Sequence, residues 1–178
     1  VELDVHQGLT YPMLYRIATA GLWQRALPPP SFGMAALCIP CPEDLLLHLC
    51  LHLAYQHRLT RGVRGLYDLA AVLQRRGAEI DEARLVETAR QWGAERVTWL
   101  SLRLMQRVTG VEAPGEVMRL LQPEVVPAEV EEQALRQLIP QQRGGIRLTP
   151  DLAALARARG WRARLRLVAQ RVFLPRQR

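Results

Sequence analysis

Glu2, Asp4 and His6 alternate with Val1, Leu3 and Val5 at the start of the chain. Strict alternation is the period of a strand with one buried face, so the three polar side chains share the other face. Carboxylates two residues apart on a strand can share a divalent cation, and oxygen ligands suit magnesium. An edge strand whose outward face is merely polar gives the same pattern, and spacing alone favours that simpler reading.

Three further constellations could carry chemistry. Cys38 and Cys41 form a CxxC pair followed by His48, Cys50 and His52, which invites a zinc site. His48 and His52 lie on one helix face, but Cys50 points away from it, Pro40 and Pro42 hold the cysteines extended, and no second CxxC exists. Zinc is therefore disfavoured, and the cysteines read as small buried apolar residues. His52, His57 and Asp68 form the next set: an imidazole on a buried helix needs a partner, and a carboxylate on the adjacent helix can supply it. That structural role is favoured over acid–base work.

The last set is a tail in which Arg157, Arg159, Arg162, Arg164, Arg166, Arg171, Arg176 and Arg178 fall with no acid after Asp151. An Arg-rich amphipathic helix, with Arg159, Arg162 and Arg166 as phosphate contacts, can grip nucleic acid or an acidic protein. Docking on the protein's own core through Trp161 and Leu165 is the favoured alternative.

The elements that must position these residues can be read from periodicity and punctuation. Pro12 and the spacing of Leu14, Ile17 and Leu22 predict a helix over 11–23, stopped by Pro28, Pro29 and Pro30. Pro42, Glu43 and Asp44 suit the positive end of a helix over 42–57, whose apolar residues nearly encircle it and make it central. Gly62 and Gly65 mark a loop before a helix that ends at Arg76, with Gly77 as a left-handed cap. Further helices close at Gly93 and at Gly110, and short connections imply antiparallel neighbours. Two weaker helices follow over 117–121 and 127–139, then a linker over 141–145 and a helical stripe of Trp161, Leu165, Val168 and Val172. The tryptophans are expected in the core or in end packing.

Composition bounds the rest. All 24 basic residues of the 178 are arginine, the net charge is +7, and 49% of residues are hydrophobic, ample for a packed core. Codon bias is the favoured reading of the missing lysine, with bidentate phosphate contact the sharper one. No apolar run reaches the roughly eighteen residues that a membrane span needs. Three clustered cysteines suit a reducing, cytoplasmic setting. The chain opens on Val1 without a leader-like segment and reads as a fragment.

The segment Leu3-Asp4-Val5-His6, then 39–54 with its Pro42-Glu43-Asp44-Leu45-Leu46, then Gln56-His57 and Arg64-Gly65-Leu66-Tyr67-Asp68-Leu69, resembles an uncharacterised nucleotidyltransferase-like family of the DNA polymerase beta superfamily. The closing Arg171-Val172-Phe173-Leu174-Pro175 is similar to that family's basic, proline-ended tail. The resemblance implies nucleotidyl transfer from an NTP to an unknown acceptor with Mg2+. Asp4 would be the third metal-facing carboxylate, with Glu2 and His6 beside it. The superfamily's Gly-Ser turn and Asp-x-Asp strand are the point of departure, since no Gly-Ser pair occurs in the sequence. A lone third carboxylate does not assemble a two-metal site, so the chain by itself is expected to be inactive.

The expected fold class is mainly α: a bundle of about six helices with a small N-terminal β remnant of a nucleotidyltransferase-type α/β core. The expected divisions are 1–40 for the α/β segment, 41–140 for the bundle, and 141–178 for the linker and basic helix. A non-catalytic helical binding module that engages nucleic acid or an acidic partner is the competing reading.

Overall fold

The computed structural model describes residues 9, 15–28, 37–55, 63–124 and 128–138, and the architecture of these residues is mainly helical, with no strand among them. The predicted strand over 1–6 and the basic helix after 150 lie outside the described residues. Within them, β pairing amounts to one isolated antiparallel bridge between Leu27 and Ile39, closed by two backbone hydrogen bonds of 2.8 Å.

The centre is the helix α2 (Pro42–Tyr55), which follows a short α1 (Thr19–Arg25). Pro42 stands at the first position of α2, where the missing N–H would have had no helical partner. Leu46, Leu47, Cys50, Leu51 and Leu53 are all buried, so α2 must be covered on several sides. The helices α3 (Arg64–Arg76), α4 (Glu82–Trp92) and α5 (Glu95–Thr109) cover it. Each of the three brings one apolar stripe. On α3 it is Leu66, Leu69, Ala70 and Leu73, the i, i+3, i+4, i+7 spacing of a helix face. On α5 the buried side includes Ser101, whose hydroxyl donates to the Cys50 carbonyl of α2 at 3.4 Å and so finds a partner inside the core.

The outer helices are α6 (Gly115–Leu120), against α4 and α5, and α7 (Ala128–Leu138), which buries Ala134 and Leu138 and lies on α5. Pro114 offers α6 no side-chain cap, so Glu82 of α4 accepts from the N–H groups of Glu116 and Val117 at 3.1 and 3.2 Å. No described helix is long and apolar enough to cross a membrane.

Most predicted boundaries hold, but Gly65, expected in the loop before α3, is the second residue of that helix and packs against Leu53, and three further expectations are corrected. The first helix begins at Thr19 rather than at residue 11, because residues 15–18 are non-helical. Tyr15 is buried edge-on against Tyr55 at 5.1 Å and the Arg16 N–H donates to the Trp92 carbonyl at 3.1 Å. That cross-link holds the segment open where local spacing alone would extend the helix. Gly77 is not left-handed: its φ is −57°, and the chain runs on into a 3-10 turn, Gly77–Glu79. Gly93 and Gly110 do adopt the predicted left-handed caps, at φ 69° and 72°. Finally, Trp23 is 73% exposed rather than packed, since α1 buries none of its residues, whereas Trp92 and Trp99 are in the core.

Candidate functional site

The most strongly built polar constellation among the described residues lies at the first turn of α2. Glu43 and Asp44 are both buried, at 0% and 1% exposure. Their partners come from opposite sides in the sequence. The Arg25 guanidinium donates to both Asp44 oxygens, Nε to Oδ2 at 3.0 Å and Nη2 to Oδ1 at 2.9 Å. Arg84 Nη2 donates to Glu43 Oε1 at 2.7 Å, and the Asp81 N–H donates to the same oxygen at 2.8 Å. Asp81 in turn caps α4, accepting from the Arg84 N–H at 3.1 Å. Two adjacent carboxylates thus fasten α1 to one side of α2 and the start of α4 to the other.

The electrostatics follow from that geometry. Burial pushes the Glu43 carboxyl up, but the hydrogen bonds from Arg84 and the Asp81 N–H outweigh it and hold the group below the usual carboxylate range. Cys41 lies just before the helix, where the helix dipole would ordinarily favour a thiolate. Burial dominates there, and with Glu43 and Asp44 alongside it pushes the thiol up to about 11. Cys50, fully enclosed, is pushed up by burial to about 12. Both thiols therefore stay protonated, and Cys38 is the exposed one of the three.

Further along α2, His48 and His52 are half-buried, with ring centroids 5.5 Å apart and planes tilted by 40°. The structure brings together this i, i+4 pair rather than His52 and Asp68. Asp68 is exposed on α3 and makes no hydrogen bond or ion pair among the described residues, so it is not the partner of the His52 imidazole. His57, Glu2, Asp4, His6, Arg159, Arg162 and Arg166 lie outside the described residues. No group of three or more His, Cys, Asp or Glu side chains among the described residues could hold a metal ion. Glu43 and Asp44, the one pair of adjacent buried carboxylates there, are taken up by arginines and do not fit magnesium. A separate surface cleft of about 330 Å³ is bordered by Arg90, Arg96 and Gln122.

Sequence reasoning placed Glu43 and Asp44 at a helix start but missed their burial and their partners. The signal was present: a helix apolar around most of its circumference leaves little room for a solvated acid pair in its first turn. Arg25 and Arg84 carried no comparable signal.

A helical bundle with a short segment latched to its central helix defines the class of protein. The particular family is given by comparison: residues 1–110 match the model of an uncharacterised nucleotidyltransferase family, and the chain belongs to that family. The match runs through α5 and stops at its left-handed cap, Gly110, so α6 and α7 lie beyond it. No curated protein and no solved structure matches the chain.

Proposed function

We propose that this chain supplies part of a nucleotidyltransferase that moves a nucleotidyl group from an NTP to an acceptor, with Glu2 and Asp4 as magnesium ligands and His6 beside them as a catalytic group. The observation that carries the reading is the family match, which includes both the Leu3-Asp4-Val5-His6 segment and the bundle from α2 to α5. Magnesium would neutralise phosphate charge and orient the triphosphate, which is the chemistry phosphoryl transfer asks of it. The bundle's part is positional. Arg25 and the Leu27 to Ile39 bridge join the stretch before α2 to the core, giving a rigid base on which a site can be held.

Without a Gly-Ser pair in the sequence, the expected readout is binding rather than turnover. Isothermal titration of each NTP with magnesium into the whole chain should give binding that needs the metal and disappears in Asp4→Ala. Absence of binding, or binding indifferent to Asp4, overturns the assignment.

A further inference from the structure

We propose that the cleft where the end of α4, the start of α5 and the end of α6 meet binds a nucleoside monophosphate, at a site separate from the magnesium chemistry above. The cleft holds about 330 Å³, at the small end of the range for small-molecule sites. Arg90, in the last turn of α4, and Arg96, in the first turn of α5, stand on its border. Neither guanidinium meets an acid among the described residues. Every other arginine of these three helices does: Arg84 pairs with Glu43, Arg103 and Arg107 with Glu131, and Arg119 with Glu116. The two guanidiniums left without a counter-charge are thus the two on the cleft.

Arg90 Nη2 donates to the Leu120 carbonyl at 3.4 Å, which ties the guanidinium to the end of α6 and leaves its other donors for a ligand. The planar fork of an arginine matches a phosphate, and two of them on one cleft favour that anion. The N–H groups of Glu95 and Arg96 add donors to the same border, since Ala94 gives α5 no side-chain cap and neither N–H has an acceptor among the described residues. The rest of the lining bears on what the phosphate carries. Leu120, Leu121 and Pro123 form an apolar wall, with the exposed Gln122 amide beside it. A bare phosphate ion uses neither, whereas a nucleobase has an apolar face for the wall and a polar edge for the amide. Glu95 is the one carboxylate on the border. It can accept from a ribose hydroxyl, as acids do in dinucleotide sites, and its charge opposes a longer, more anionic polyphosphate.

The test is titration of AMP, UMP and inorganic phosphate into the whole chain at low salt with EDTA, followed through the backbone amide resonances. The expected result is one monophosphate per chain, bound more tightly than phosphate, with shifts concentrated on Gly93, Glu95, Arg96 and Gln122. Arg90→Gln and Arg96→Gln should each weaken binding roughly tenfold, the loss of one charge-assisted contact. Arg64→Gln and Arg75→Gln, which remove exposed arginines of α3 that also lack an acid partner among the described residues, should leave it unchanged. Gln122→Ala should weaken the monophosphates and spare phosphate. No binding, equal losses in the α3 variants, or shifts away from the cleft would overturn the site. Phosphate bound as tightly as the monophosphates would overturn the nucleotide as its ligand. EDTA keeps the magnesium site out of the measurement, so its outcome is separate from that of Asp4→Ala, and the unmodified chain's resonances answer even if a variant fails to fold.

Discussion

Arginine–carboxylate pairs at the start of α2 and on the seam between α5 and α7 have opposite consequences. At the start of α2 the carboxylates of Glu43 and Asp44 are enclosed and the arginines reach in from the surface. On the seam between α5 and α7, Arg103 and Arg107 meet Glu131 and Glu132 at 2.9 to 3.4 Å with most partners in contact with solvent. The distances are similar, so geometry does not separate the two. Burial does: a solvated pair exchanges water for a partner at little gain, whereas an enclosed carboxylate that loses its partner has nothing to replace it.

That contrast can be broken most directly at Arg25. Arg25→Ala leaves Asp44 buried without a counter-charge and should lower the unfolding free energy by about 2–4 kcal/mol, less than the full penalty for a sealed pair because Arg25 is itself partly solvated. Urea denaturation checks it, and a loss below about 0.5 kcal/mol would remove the distinction between the two regions.

A second effect should appear in acid. The folded Glu43 carboxyl titrates below its ordinary value of 4.5, so its contribution is complete above that pH and drains away as pH falls through the depressed folded value. Melting temperatures followed from pH 6 downwards should therefore fall more steeply for the natural chain than for Glu43→Gln. Parallel acid limbs would mean that Glu43 contributes nothing through its charge.

The smallest effect belongs to the seam. Arg107→Ala should barely move the unfolding midpoint, and whatever shift it causes should vanish as salt is raised. A salt-resistant loss comparable to that of Arg25→Ala would show that the seam is as enclosed as the joint.

Much of the bundle was legible in the residues. Helix periodicity located α2 to α5, and Gly93 and Gly110 marked two stops that the backbone confirms with positive φ. Gly77 misled because a glycine after a helix permits the left-handed cap without requiring it, and here the chain continues into a 3-10 turn. The start of α1 misled for a different reason: Tyr15 and Arg16 are held by Tyr55 and Trp92, contacts that no local pattern reports. The candidate site was less legible. His48 and His52 could be placed on one face from spacing, but that Asp68 stands exposed on α3 instead of meeting His52 depended on which way α3 turns its polar side.

The sequence by itself determined where α2 to α5 lie, the apolar stripes of α3 to α5, and the family to which the chain belongs, because these depend on residue types at short, regular intervals. Only the tertiary structure decided that Glu43 and Asp44 are enclosed and that Arg25 and Arg84, 19 and 41 residues away, complete them. Periodicity reports the face a residue occupies on its own helix. The charge that meets it there depends on how separate helices pack, and that is set by the whole core at once.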